Sequence, residues 1–369
     1  MKKKTTLKYF QDPKEDKRIS IDIYFNKIYE EIKKITSSDK INISYSKYKF
    51  NNILPDMFNL NLRISRYVLF PIYFLFTQKR LNHILDQSYA HLLFLKFFSK
   101  NIVTVHDLMP LLSWNKKIDK SIYSNNPLLF KLSLLGLKKA DKIIAVSQTT
   151  KDDIVQECNI NPEKISVIHN GVSEKFRVFT HPERIHAKKF LNLMNENFKI
   201  LIVGNSIYKN VHTSYEVIKR LDSICSTNVQ LIWLGGSKDL HDAFTSKKDT
   251  LTKVHIFNDL NEEECVMLYN SVDCLLFPSL YEGFGLPPLE AMKCGIPVVA
   301  SNIKVFKELY IDSAMMAGPK DIDKLAKLIK ELIENENHKS ELITRGINRS
   351  KSFSWKKTAS KLNDIYNGI

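Results

Sequence analysis

Short apolar runs separated by amphipathic stretches recur along the whole chain, with the spacing of strands alternating with helices. In the first half, residues 5–10 read as an opening strand and residues 101–107 (NIVTVHD) as a β-branched one; residues 140–147 and 165–168 add two more. Apolar positions at Ile21, Tyr24, Phe25, Ile28, Ile32 and Ile35 mark one face of a helix that Ser20 is placed to cap. Residues 148–157 read as another helix. Residues 81–93 start as a strand and pass into a polar cluster of His83, Asp86, Gln87 and His91, which fits caps, surface positions or acceptor contacts.

The rhythm repeats in the second half. Strands are expected at 199–204 (KILIVG), 229–235 (VQLIWLG), 254–257, 274–278 and 298–300, with a helix over 211–221. Asn261 and Glu264 form a capping box that opens a helix through Val266, Leu268 and Tyr269. Residues 321–335 are a charged amphipathic helix, and a last helix follows Phe353-Ser354-Trp355 to Tyr366. Such alternation implies parallel sheets, with ligands at the carboxyl ends of the strands. At 369 residues two domains are expected. The first runs over 1–176, the second over 177–350 with 177–197 as linker and lead-in, and 351–369 forms the terminal helix. No internal repeat stands out.

Residues 281–295, YEGFGLPPLEAMKCG, carry the densest chemistry. Gly283 and Gly285 allow close backbone approach, Pro287 and Pro288 suit a first helical turn, and Gly295 followed by Pro297 closes the helix. A glycine-bearing loop that feeds a helix start offers N–H groups and a positive dipole end to a phosphate. Glu282 and Glu290 bracket it, and a carboxylate is a good bidentate acceptor for vicinal hydroxyls. The residues alone fit a ligand with both phosphate and hydroxyls. They also fit a tight turn with two solvated glutamates.

The run, continued by IPVVASN and Glu308, resembles the E-x7-E signature of retaining glycosyltransferases of family 4, group 1. About 30 residues carry the likeness, with weaker pieces over most of the chain. HDLMP after the strand at 101–107 resembles the family's N-domain histidine segment, ISVIHNGVSEKF the close of its first domain, and the terminal helix one that crosses back to the first domain. The resemblance implies a GT-B fold, an α/β architecture of two Rossmann-like, doubly wound domains facing a central cleft. It implies that Glu290 holds ribose hydroxyls and that Glu282 faces the donor sugar. The backbone of Gly283, Phe284, Gly285, Leu286 and Pro287 would contact sugar and diphosphate, and His106 the sugar from the opposite domain. Lys209, near Gly204, resembles the diphosphate-binding lysine, and Asn258 lies where the nucleobase usually sits. Two departures stand out. Asn205 occupies the usual arginine position and lacks its charge and fork, and the first loop, 11–16, has no glycine. Lys116 or Lys117 are candidate substitutes for the missing cation.

Composition narrows the classes. Hydrophobic residues at 44% and aromatics at 11% mark a folded chain. The five cysteines, Cys158, Cys225, Cys265, Cys274 and Cys294, lack C-x-x-C spacing and fit free thiols in a reducing cytoplasm, with no zinc site. Met1-Lys2-Lys3-Lys4 leads into no apolar h-region, so no secretory signal is expected. The longest uncharged apolar run, 67–76, is far short of the roughly 20 residues of a membrane span. A net charge of +15 comes without a nucleic-acid recognition module. It suits either an anionic membrane surface, with Arg63, Arg66, Lys79 and Arg80 flanking the aromatic run, or a lysine-rich solvated surface. Asp321-Ile322-Asp323 is formally D-x-D but opens a surface helix, so no metal or other cofactor is expected.

The expectation is a metal-independent retaining glycosyltransferase, cytoplasmic and peripheral on the inner face of the cell membrane. It would move a sugar from a nucleotide-sugar donor to a glycan, lipid-linked or polysaccharide acceptor. The wording of the signature leans toward mannose or a related hexose. A non-catalytic GT-B protein that binds a partner transferase or a glycan is the rival, motivated by Asn205 and the glycine-free loop. A sugar-nucleotide epimerase fits the fold but not the loop.

Overall fold

The computed structural model describes residues 5–11, 19–36, 41–47, 63–118, 128–244 and 254–369. These form two α/β units: one of residues 1–171 and 355–369, the other of 172–354.

The first unit carries β1 (Thr5–Gln11), β2 (Ile41–Lys47), β3 (Leu81–Ile84), β4 (Lys100–Val105), β5 (Lys142–Ala145) and β6 (Ile165–Val167) in the order β2-β1-β3-β4-β5-β6. Every pairing is parallel. Covered on both faces, β3, β4 and β5 read as continuous buried runs with no alternation. The helix Ile19–Thr36 begins one residue before Ser20, which therefore lies inside its first turn and does not cap it. The glycine-free loop lies outside the described residues beyond Gln11. The terminal helix Trp355–Gly368 belongs to this unit: Trp355, Ala359, Leu362 and Tyr366 share a core with Tyr24, Phe25, Ile28 and Ile32.

A buried polar chain runs through that core. The Tyr9 hydroxyl donates to the Tyr366 hydroxyl at 3.1 Å, and Tyr366 meets His83 Nδ1 at 2.7 Å. His83 Nε2 lies 2.8 Å from Thr104 Oγ1, which is 3.2 Å from the Tyr24 hydroxyl. Burial, assisted by His106, drives the His83 pKa down to about 3, so this imidazole is neutral. His83 is thus a core residue. So is His91, bonded to Arg66 O and Ser133 Oγ. Asp86 accepts from the Ser88 N–H at 2.5 Å and caps the 3-10 helix Gln87–Leu95.

The aromatic run is a short π segment, Ser65–Leu69, leading into the helix Phe70–Thr77. Arg66 does not face outward as a docking residue. Its guanidinium lies 4.6 Å from the Tyr89 ring centroid and donates to Ser88 O at 3.2 Å. Among the described residues no helix is long and apolar enough to cross a membrane.

The second unit carries β7 (Phe198–Val203), β8 (Val229–Leu234), β9 (Val254–Phe257), β10 (Cys274–Phe277), β11 (Val298–Ser301) and β12 (Met315–Ala317), in the order β12-β11-β10-β7-β8-β9. All pairings are again parallel. From β7 the chain winds out to β9, then returns to β10 on β7's other side. That reversal opens a crevice at the carboxyl ends of β7 and β10. The stretch expected as linker holds a helix, His181–Phe190, opened by a capping box between Thr180 and Glu183.

Candidate active site

The loops after β7 and β10 meet at this reversal. The Leu280 N–H donates to Tyr208 O at 2.8 Å. Asn210, in the left-handed region at φ 57°, donates its amide to Pro278 O at 3.0 Å and to Pro319 O at 2.6 Å. These bonds hold the two loops in one register.

Lys209 ends a 3-10 turn, Ile207–Lys209, and folds back over the loop start. Its stem packs on Gly204, where a Cβ would stand 3.3 Å from Lys209 Cγ. Gly204 is at φ 88° and its carbonyl accepts from the Trp233 indole at 2.8 Å, so that position needs glycine. Lys209 Nζ reaches Glu282 Oε1 at 2.7 Å, and the Ser279 hydroxyl donates to the same oxygen at 3.0 Å. Ser279 had no sequence signal beyond following a proline.

Beyond Glu282 the chain turns through Gly283 and Phe284 to Gly285 and enters the helix Leu286–Lys293. Gly285 sits at φ 89°, and a Cβ there would stand 2.8 Å from Phe306 Cε1. Tyr310 fixes the loop from behind by donating its hydroxyl to the carbonyls of Phe284 and Gly285. The Phe284 ring is turned inward, edge-on to Phe353 at 5.9 Å, so only its backbone faces the crevice. Pro287 and Pro288 remove two of the donors a helix start presents. The amides of Gly285 and Leu286 remain as its donors at that end. The helix Val211–Ile224 starts from the β7 loop, so two positive helix ends converge with Lys209 on one crevice.

Glu290 falls in the second turn of its helix. The Tyr269 hydroxyl donates to its Oε2 at 2.8 Å. Burial raises its pKa to about 7, partly offset by that hydrogen bond. The same enclosure pushes the neighbouring Cys265 thiol up to about 11 and Cys294 up to about 12. The two signature glutamates therefore differ: Glu282 is salt-bridged, whereas Glu290 is held by a neutral phenol.

Of the remaining candidates, Asn205 is exposed at the mouth of the β7 loop and Asn258 is exposed after edge strand β9. Neither joins the Lys209–Glu282 cluster. Asp321 caps the helix Ile322–Glu334 and Asp323 pairs with Arg220 at 2.7 Å, so each acid of the D-x-D serves the helix. In the first unit His106 follows β4 and donates from Nε2 to Leu85 O at 2.9 Å. Its backbone N–H donates to Gln87 Oε1 at 3.0 Å, and the Tyr24 ring stands edge-on to it at 5.0 Å. Lys116 and Lys117 belong to that unit too, in the turn after the helix Met109–Trp114.

The profile described as Glycosyl transferases group 1 matches residues 183–349, and that of Glycosyltransferase Family 4 matches residues 58–176. The serotype-specific mannosyltransferase WbdA of Escherichia coli is 28% identical over 274 residues, which are 70% of this chain and 32% of that protein. The O-antigen chain mannosyltransferase RfbU of Salmonella typhimurium is 30% identical over 236 residues, 62% of this chain and 60% of the relative. The chain thus spans about a third of the first relative and three fifths of the second. Among solved structures, Anabaena HepE in complex with UDP and glucose superposes with a TM-score of 0.76 at 16% identity, covering 99% of this chain and 100% of that one. WaaG, involved in lipopolysaccharide biosynthesis, gives 0.75 at 13% identity, covering 99% and 100%.

Proposed function

We propose, for a chain that belongs to the group 1, family 4 glycosyltransferases, that it transfers a hexose from a nucleotide sugar to a glycan, lipid-linked or polysaccharide acceptor with retention of configuration. The observation that carries this reading is the Lys209–Glu282 pair, set at the β7/β10 reversal between two helix N-termini. Fixed positive groups in that position match the charge that develops on a leaving diphosphate. Lys209 and the amides of Gly285 and Leu286 take the diphosphate, and Gly204 lets the lysine stem lie flat beneath it. Glu290 accepts from the ribose hydroxyls, and Glu282 faces the donor sugar. The bond from the anomeric carbon to the diphosphate oxygen breaks as the acceptor oxygen bonds to the same carbon. The acceptor hydroxyl's proton leaves on the phosphate oxygen. With Lys209 and these amides in place the transfer proceeds without a metal.

Mannose or a related hexose is the donor sugar favoured, in line with the two mannosyltransferase relatives. The site of action is the inner face of the cell membrane, where lipid-linked acceptors are presented. The test is donor binding and hydrolysis across UDP-, GDP-, ADP-, CMP- and dTDP-sugars with EDTA present, on wild type and Glu282→Ala. Turnover of one donor, lost in the variant, supports the transferase and names its sugar. No binding to any donor favours the non-catalytic rival, in which Asn205 leaves the site one cation short.

A further inference from the structure

The helix Leu128–Leu137, LLFKLSLLGL, contains no acidic residue and one lysine. Its inward row is buried, and Gly136 lets it lie directly on the 3-10 helix Gln87–Leu95, because a Cβ there would overlap the Ala90 carbonyl. Its outward row is just as apolar: Leu132 is 40% exposed, Leu135 54% and Leu128 67%. A helix that is apolar all round belongs in an interior, so this outward row calls for a cover.

What surrounds the row indicates the cover. Phe94 and Trp114, both exposed, flank it, and each holds a lysine over its ring: Lys139 Nζ at 5.5 Å and Lys131 Nζ at 5.1 Å. Lys138 is exposed at the end of the helix. Two nearby acids are already engaged. Asp141 lies 3.4 Å from Lys96 and 3.6 Å from Lys100, and Glu157 accepts from Asn115 at 2.7 Å. Beside Leu135 the apolar face continues into a cleft of about 340 Å³ floored by Leu111, Leu134 and Cys158, with Lys131 and Lys138 among its lining.

We propose that this face, Leu128–Leu132–Leu135 with its aromatic flanks and lysine rim, docks on an anionic lipid bilayer. Leucines take the acyl boundary, aromatics the headgroup level, and lysines the anionic phosphates. A second copy of the chain fits less well, because it would set lysine against lysine. The assignment deepens the membrane placement proposed above and moves it off Arg66, whose guanidinium is used internally. It is independent of the sugar chemistry.

The experiment is flotation of the full chain with phosphatidylcholine vesicles, with and without phosphatidylglycerol. Wild type is expected to float with the anionic vesicles, less so at high salt. The Leu132→Glu/Leu135→Glu pair is expected to lower partitioning about tenfold per substitution, and Lys138→Ala/Lys139→Ala about fivefold per lysine. Circular dichroism and thermal unfolding report that both variants remain folded. Wild type that fails to float, or leucine variants that float as well as wild type, would overturn the proposal. So would a dimer in solution that the leucine pair dissolves, which would assign the face to a second copy. Flotation without donor turnover leaves this proposal standing and counts only against the transferase reading.

Discussion

Lys209 and Glu282 lie 73 residues apart in sequence and 2.7 Å apart in space, their side chains only 14% and 11% exposed. Each is the other's charge partner. In the proposed function, donor binding requires the lysine to share itself between a carboxylate and a diphosphate. The carboxylate does not need to move far for this, since Ser279 holds the same oxygen.

Removing one partner should cost more than removing both. Lys209→Met leaves an enclosed carboxylate with only Ser279, and about 3 kcal/mol of stability should go with it. Lys209→Met/Glu282→Gln should regain much of that loss. Urea unfolding of the four members of this cycle measures it; additive losses would mean that the pair is not coupled. Donor binding should fail in both lysine variants.

Glu290 sets a pH dependence with opposite consequences for stability and binding. Its folded pKa, about 7, lies above its unfolded value, so the folded state prefers the protonated carboxyl. The stability this provides is fully present below about pH 4.5 and is lost as pH rises through 7, roughly 3 kcal/mol in all. Ribose hydroxyls prefer the ionised acceptor, so nucleotide affinity should rise with pH up to about 7 and then level. Glu290→Gln should remove the stability change while weakening the nucleotide by roughly 1.5–3 kcal/mol. Thermal melts and calorimetry at pH 5.5 and 8 check both signs.

Gly285→Ala should be severe. It places a side chain at φ 89° and a methyl against Phe306. Left-handed strain and overpacking together come to roughly 2–4 kcal/mol. Tyr310→Phe relaxes the same loop from behind by removing a donor to two carbonyls, and should cost about 1 kcal/mol. It should raise the donor KM more than it lowers Tm, which steady-state kinetics beside a thermal melt would show.

In the first unit, Tyr366→Phe removes the hydroxyl that joins Tyr9 to His83 and should cost roughly 1–3 kcal/mol. Because His83 is held neutral, with a folded pKa of about 3, its contribution is present above the unfolded value near 6.5 and is lost as pH falls. An acid titration of wild type followed by near-ultraviolet circular dichroism should show this unit loosening below pH 6.

The signature loop was readable because its parts are contiguous: glycines, prolines and two glutamates in fifteen residues dictate a turn, a helix start and two acceptors. Parallel pairing of the strands followed from the αβ rhythm. What stayed hidden was of two kinds. Contacts across long sequence separations, such as Lys209 to Glu282 or Tyr310 to Gly285, leave no local pattern. Elements with no period were also missed: LLFKLSLLGL spreads its leucines over all its faces, so it reads neither as helix nor as strand. Burial reversed the reading of His83 and His91, and contacts to Tyr89 and Ser88 that of Arg66, whose polarity suggested ligand contacts or a surface. The helix at 181–190 was within reach, because Thr180, Pro182 and Glu183 spell a capped start.

The unit that holds β1 to β6 is assembled from two separate segments of the chain, with 172–354 lying between them in sequence. On the ribosome, its first 171 residues emerge long before the helix that completes their core. Tyr9 and His83 must wait for Tyr366, while the intervening unit has every strand it needs and can fold at once. A premature stop just after residue 354 would therefore spare the later-made unit and leave the earlier-made one without its closing helix, open to proteolysis.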